Sequence, residues 1–291
     1  MLPDFVLQQR AGASIWLAKK YAEAGFLDRL SDADRLFADV SCKVIKDQRK
    51  IKVARLVVEI DGKAQGLFIK RYNMYSWRHH LVSPLVQSGA FRALRGAAIL
   101  RAAEIKTAVP VAAVENRRRR ALDKSFFITE ELSGGTTADA YWCEVLNRLD
   151  GREGKARRRE FLIQLAGLFC TLHKRQIYHN DLKDVNIFVV SERQADNLNL
   201  FLLDLEGVKR YAHLSSGRKV KNLVQINRTL GRYLRRSEKL LFLRSYMGRS
   251  FHDRTSRREL IALVGRESNR LDIAKAAAAM RTSDGMRSRN V

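Results

Sequence analysis

The sequence predicts an α+β protein with two lobes, a small antiparallel β-sheet lobe followed by a larger, mainly helical lobe. Apolar, β-branched runs typical of strands dominate the first half of the chain, whereas segments with helical apolar spacing dominate the second half. The stretch SGGTTADA at 133–140 separates the two halves and is predicted to be a flexible joint. We therefore place the lobes at 1–132 and 133–291, and we expect a disordered tail over 281–291.

The clearest element of the first lobe is a predicted β-hairpin over 51–70. Its two apolar runs flank Asp61-Gly62, a dipeptide that readily adopts the positive φ angles of a tight turn. Lys70 closes the second strand. Residues 91–104 then show helical spacing, and two further strands are predicted at VAAVE and SFFITEEL.

The second lobe contains an amphipathic helix over 160–174, whose leucines and phenylalanines fall on one face. Further helices are predicted at 219–247 and 257–280. Two short apolar runs, IFVV and LNLFLL, lie between the first helix and the later ones and are typical of strands.

Composition narrows the classes of protein. Lys and Arg number 55 against 31 Asp and Glu, which gives a net charge of +24 and favours anionic partners. Cys42, Cys143 and Cys170 show no CxxC spacing, which argues against a disulfide scaffold or a zinc site and favours a reducing cytoplasm. Neither a long apolar run nor a signal-peptide pattern occurs, so we expect no membrane span and no Sec export.

Three separated segments carry side chains suited to phosphoryl transfer: Lys70, the loop HNDLKDVN, and the triplet DLE. Such catalysis depends on positioning and on stabilising the charge of phosphate oxygens. Asp181 suits the carboxylate that faces the attacking hydroxyl, and Lys183 suits neutralisation of the transferred group. Asn186 and Asp204 supply the oxygen atoms that a hard cation such as Mg²⁺ prefers.

These motifs resemble those of a known superfamily. HNDLKDVN matches the catalytic loop H-x-D-x-x-x-x-N of protein-kinase-like enzymes, and DLE stands where that superfamily has its metal-binding D-F-G. Within it, the chain most resembles the lipopolysaccharide core kinases of Gram-negative bacteria, which phosphorylate heptose or Kdo sugars. The segments that carry this resemblance lie between about 40 and 235 and are FIKRYN, YSWRHH, TAVPV, FFITEEL, YHNDLKDVNIFV and LLDLEGVKR.

The resemblance implies a two-lobed protein-kinase-like fold, ATP as the phosphate donor, and Mg²⁺ or Mn²⁺ as the metal. By position, Asp181 resembles the catalytic aspartate, and Asn186 and Asp204 resemble the metal ligands. Lys70 resembles the lysine that binds the nucleotide phosphates.

Three further positions receive roles from the same resemblance. The backbone groups of Glu131 and Leu132 fall where the hinge would meet adenine, and His179 resembles a histidine that supports the catalytic loop. Glu206, the last residue of DLE, is interpreted as a surface acid.

Two departures distinguish the chain from the wider superfamily. No glycine-rich phosphate loop is present, so we expect either basic side chains such as Lys43 or Lys46, or a different backbone path, to cover the phosphates. The helix acid that normally fixes the strand lysine is also absent, because its position falls on Arg95 or Gly96, and Glu104 lies too far downstream.

The leading hypothesis is an ATP-dependent kinase for a sugar hydroxyl of the lipopolysaccharide inner core. It would work in the cytoplasm, peripheral to the inner membrane. The basic runs at 117–120 and 157–159 are interpreted as solvated faces, with docking to anionic lipid as the alternative. Nucleic-acid binding is not expected, because the basic runs lack interleaved aromatic residues. Two alternatives stay open: a kinase for protein Ser/Thr or another small molecule, and a non-catalytic kinase-like scaffold.

Overall fold

The computed structural model describes residues 3–10, 12–73, 87–118, 121–192 and 197–287. The basic aromatic segment at 75–80 therefore lies outside the described residues. The chain forms two compact units, of which the first comprises 1–135 together with 201–209. The second comprises 136–200 and 210–291.

A seven-stranded antiparallel sheet forms the frame of the first unit, in the order β1-β2-β6-β7-β5-β4-β3. Its strands are β1 (Phe5–Arg10), β2 (Ala13–Ala18), β3 (Lys43–Asp47), β4 (Ile51–Ile60), β5 (Lys63–Asn73), β6 (Pro110–Arg118) and β7 (Ala121–Glu130). The unit also contains helices α1 (Ala24–Ser31) and α2 (Gly89–Ala102).

The predicted hairpin is confirmed as β4 and β5. Asp61 and Gly62 connect them with φ angles of 51° and 71°, the backbone geometry for which this dipeptide is suited. Lys70 lies inside β5, where it pairs with Val53 on one side and Phe127 on the other. It is therefore a residue of a central strand and not of a sheet edge.

The two faces of β5 have different environments, because side chains alternate along a strand. Leu67 and Ile69 are fully buried in the same apolar cluster as Phe26 of α1. Lys70 and Tyr72 point to the opposite face, where the Tyr72 ring lies against Gly89 at the start of α2. Lys70 thus shares a face of the sheet with α2.

The stretch 201–209 packs with the first unit. The Leu202 N–H donates to the carbonyl of Lys106 at 2.9 Å, and the Thr107 hydroxyl donates to the carbonyl of Leu202 at 2.7 Å. A 3₁₀ turn over Leu205–Gly207 then packs against α2. These contacts place the triplet DLE beside α2 and β5.

Helices dominate the second unit, as predicted. They are α3 (Gly151–Lys174), α4 (Ser216–Arg228), α5 (Arg236–Met247) and α6 (Arg254–Arg287). The other strands are short, namely β8 (Gly135–Thr137), β9 (Ile177–His179), β10 (Ile187–Glu192), β11 (Asn197–Leu202) and β12 (Val208–Arg210). Strands β11 and β12 extend into the stretch 201–209 of the first unit. Strand β10, which follows the loop over 180–186, lies between β8 and β11.

The helix predicted over 219–247 was wrong as one element. It is two helices, α4 and α5, separated by a 3₁₀ turn at Leu230–Arg232 after Thr229, whose φ and ψ of −107° and −90° are not helical. The last helix continues to Arg287, past its predicted end at 280 and into the predicted tail. Within the described residues, no helix is both long and apolar enough to cross a bilayer.

Candidate active site

The loop that carries Asp181 is held in shape by its own backbone and by His179. The Asp181 N–H donates to Nδ1 of His179 at 3.2 Å, and the Lys183 N–H donates to the Asp181 carbonyl at 3.0 Å. His179 is fully buried, whereas the Asp181 side chain is 38% exposed. The histidine therefore supports the loop, and the aspartate remains accessible.

Three of the predicted site residues come together in this loop. The ammonium of Lys183 lies 2.7 Å from Oδ1 of Asp181. Nδ2 of Asn186 donates to the Asp181 carbonyl at 2.7 Å and lies 3.2 Å from its Oδ2. Because its nitrogen faces Asp181, the amide of Asn186 directs its oxygen away from that residue, which leaves the atom that a hard cation would bind turned outward.

A buried polar network under the loop was not identified from the sequence. Asn222 of α4 is fully buried, and its Nδ2 donates to the His179 carbonyl at 2.6 Å and to Oε1 of Gln225 at 3.0 Å. Gln225 in turn donates to the carbonyl of Asn180 at 2.6 Å and accepts from the Leu182 N–H at 3.1 Å. A signal was present, since two amides three residues apart on an amphipathic helix share one face.

His173 lies beside this network, as a packed residue near the end of α3. Its Nδ1 is 2.8 Å from the Tyr246 hydroxyl, and its Nε2 is 3.4 Å from Oδ1 of Asn222. The neutral ring satisfies both contacts when Nε2 carries the proton. Burial lowers the pKa of His173 to about 4, so the ring is uncharged at neutral pH.

In the first unit, the structure brings Lys70 and Asp204 into direct contact. Nζ of Lys70 lies 2.5 Å from Oδ1 of Asp204, and the two side chains are 21% and 31% exposed. Asp204 adopts the left-handed conformation, with φ and ψ of 57° and 58°. Aspartate tolerates this region better than most residues, which suits it to the tight change of direction before the 3₁₀ turn.

Glu206 is not the surface acid that the sequence indicated. Its side chain is 31% exposed, and its negative charge raises the pKa of the Tyr72 hydroxyl. Nη2 of Arg92 in α2 lies 4.0 Å from its Oε2. Burial raises the pKa of Glu206, whereas the positive charge of Lys70 acts in the opposite direction. Burial likewise raises the pKa of Tyr72 well above its usual value, so its hydroxyl stays a donor.

The absence of an acid in α2 has a steric cause. A Cβ on Gly96 would stand 2.2 Å from the carbonyl oxygen of Leu205. Arg95 faces elsewhere, since its Nη1 donates to Oε1 of Gln87 at 2.9 Å. Glu104 follows the helix end at a φ of 57° and so lies outside α2. The helix thus approaches the DLE turn too closely for a side chain at position 96.

The predicted hinge has one backbone donor already in use. The Glu131 N–H donates to the carbonyl of Gly66 at 2.9 Å, and the Glu131 carboxylate pairs with Nε of Arg55 at 2.6 Å. Leu132 follows directly, outside the strand β7. Any adenine contact at these two residues would therefore use the Glu131 carbonyl or the backbone of Leu132.

Asp204 in the first unit and Asn186 in the second each carry an oxygen of the kind that hard divalent cations bind, a carboxylate and an amide oxygen. Across the described ranges, no group of three or more His, Cys, Asp or Glu residues is arranged to hold a metal. Lys43 and Lys46, expected to cover phosphates, are exposed on the edge strand β3.

Comparisons with known proteins identify the family and the fold. A family model described as the lipopolysaccharide kinase (Kdo/WaaP) family matches residues 41–246. The comparison with curated proteins gave no match. The chain is similar to a solved structure of WaaP in complex with acyl carrier protein, with 21% sequence identity and a TM-score of 0.61, over 84% of this chain and 92% of that chain. This likeness confirms the predicted α+β, protein-kinase-like fold.

Proposed function

The chain belongs to the lipopolysaccharide kinase (Kdo/WaaP) family, and on that premise we propose that it transfers the γ-phosphate of ATP to a sugar hydroxyl of the lipopolysaccharide inner core. The acceptor would be a heptose or Kdo unit. The observation that carries the proposal is the loop in which Asp181, Lys183 and Asn186 meet, with Asp181 accessible and its surroundings rigidly bonded.

In the proposed reaction, Asp181 orients the acceptor hydroxyl and accepts its proton late in the transfer. The hydroxyl oxygen forms a bond to the γ-phosphorus while the bond from that phosphorus to the β,γ-bridging oxygen breaks, and ADP leaves. Lys183, 2.7 Å from Asp181, would neutralise the charge on the transferred group. The proton on Asp181 then passes to solvent.

The remaining predicted residues would hold the nucleotide. Lys70 would bind the phosphates, the backbone at Glu131 and Leu132 would contact adenine, and Asn186 and Asp204 would supply oxygen ligands to Mg²⁺ or Mn²⁺. The cation, when bound, neutralises phosphate charge during transfer. The orientation of the Asn186 amide, with its nitrogen on the Asp181 carbonyl, supports its role as an oxygen ligand.

The acceptor and the high positive charge together suggest where the protein works. A glycolipid acceptor lies in a membrane, and each Lys or Arg near an anionic surface contributes about 1 kcal/mol of attraction. We therefore propose peripheral contact with the cytoplasmic face of the inner membrane. Because the similar WaaP structure contains acyl carrier protein, an association of that kind is the alternative use of a basic surface.

Transfer of labelled phosphate from ATP tests the function. The expected result is label in phenol-extracted lipopolysaccharide that lacks its core phosphate, and loss of that label with Asp181→Asn. Asp150→Asn, an exposed acid without a side-chain cap bond, is the matched control. Label in protein instead would favour a protein kinase. Nucleotide-dependent thermal stabilisation without transfer to any acceptor would favour the non-catalytic scaffold.

A further inference from the structure

The structure brings a second carboxylate into the electrostatic reach of Lys70. We propose that Glu206 is a positioning residue for this lysine and replaces the acid that α2 lacks. The inference rests on the proposed function, since it concerns how Lys70 is held for the phosphates of ATP. It changes the interpretation of DLE, because the third residue of the triplet then has a role of its own.

The position of Tyr72 connects the two charges. Lys70 and Tyr72 are two residues apart in β5 and share one face of the sheet. Nζ of Lys70 lies 5.0 Å from the centre of the Tyr72 ring, and the negative charge of Glu206 raises the pKa of the Tyr72 hydroxyl. The lysine ammonium and the glutamate therefore both interact with the same aromatic side chain.

Asp204 alone does not provide a dedicated partner for Lys70. It pairs with Lys70 at 2.5 Å, but it is also the proposed ligand of the cation. A divalent ion on Asp204 would repel the ammonium of Lys70, which lowers the net attraction at that site. Glu206, two residues further along the chain, is a second carboxylate whose charge interacts with that of Lys70.

Near the DLE turn, helix α2 carries an arginine and not the acidic side chain that the resemblance implied. Nη2 of Arg92 lies 4.0 Å from Oε2 of Glu206, and Arg92 and Gly96 fall one turn apart on the same face of α2. Since Gly96 lets the carbonyl of Leu205 approach the helix backbone, the turn brings Glu206, the next residue, within 4.0 Å of Arg92 on the same helix.

Binding of Mg²⁺ with a non-hydrolysable ATP analogue tests this proposal by calorimetry. Glu206→Gln is expected to weaken binding about tenfold, the usual effect of removing one charged hydrogen-bonding partner. Glu59→Gln, an exposed acid on the same sheet, is the matched control and should bind like the wild type. Tyr72→Phe, which removes only a hydroxyl, should weaken binding in the same direction.

A double variant separates positioning from a structural role. If Glu206 acts through Lys70, then Lys70→Met with Glu206→Gln should bind no more weakly than Lys70→Met alone. Additive losses, or wild-type binding by both Glu206→Gln and Tyr72→Phe, would overturn this proposal and leave the kinase function intact. Absence of nucleotide binding by the wild type would overturn both proposals.

Discussion

The α-carbon of Gly96 faces the carbonyl oxygen of Leu205 so closely that an added Cβ would stand 2.2 Å from that oxygen. Helix α2 and the turn that carries DLE are thus packed backbone to backbone. Because backbone atoms cannot move aside as the end of a flexible side chain can, position 96 requires glycine. This contact fixes the turn beside Lys70.

Gly96→Ala is expected to destabilise the protein by about 1–3 kcal/mol, the usual cost of overpacking a tight contact. The added methyl group must push the turn over Leu205–Gly207 away from α2. Nucleotide binding should weaken as well, since Asp204 and Glu206 move with the turn. Urea denaturation and calorimetry measure the two effects.

Gly167→Ala is the control, because this exposed glycine lies in α3 and an added Cβ there meets nothing within 4 Å. It should leave stability unchanged or raise it by about 0.5–1 kcal/mol through helix propensity. Equal stability of the two variants would contradict the steric explanation for the missing acid.

Asn222→Ala should lower the free energy of unfolding by about 1–3 kcal/mol. The substitution leaves the buried carbonyl of His179 without its donor at 2.6 Å and removes a partner of Gln225. The loop around Asp181 should become more mobile, which amide hydrogen exchange would detect. Asn147→Ala, at an exposed position, should change neither property.

His173 makes the stability depend on pH. Burial lowers its pKa to about 4 from the ordinary value of 6.5, so the unfolded chain binds the proton more tightly than the folded one. The contribution of the neutral His173 ring to the free energy of unfolding is complete above pH 6.5 and is lost as the pH falls from 6.5 to 4. The total loss is roughly 3 kcal/mol from this residue.

The measurement is the free energy of unfolding at several pH values, for the wild type and for His173→Phe. The variant lacks the titrating ring, so its stability should fall less steeply between pH 6.5 and 4. Parallel curves for the two proteins would show that the ring is not held neutral in the fold.

The sequence predicted the elements whose conformation depends on residues that are close together in the chain. The hairpin turn at Asp61-Gly62 and the amphipathic α3 are of this kind, because their residues favour the observed conformation wherever they occur. Strand β1 has a mostly exposed surface and gave no comparable signal. The break between α4 and α5 was missed because no proline marks it.

The parts of the site that sequence reasoning missed depend on contacts between distant segments. Glu206 was interpreted as a surface acid because nothing near it in the chain indicates burial. Its partners Tyr72 and Arg92 are more than 100 residues away in sequence. The loop around Asp181 was predictable because its residues lie within one short motif and contact one another.

The short stretch 201–209 returns to the first unit, although the chain on either side of it belongs to the second. The polypeptide therefore changes units three times, after 135, after 200 and after 209. No single cut yields two complete folding bodies, since a fragment ending at 135 would lose the turn with Asp204 and expose the surface of α2 that packs against it. Recombination between homologous genes can exchange the complete first unit only if the segments that encode 1–135 and 201–209 are transferred together.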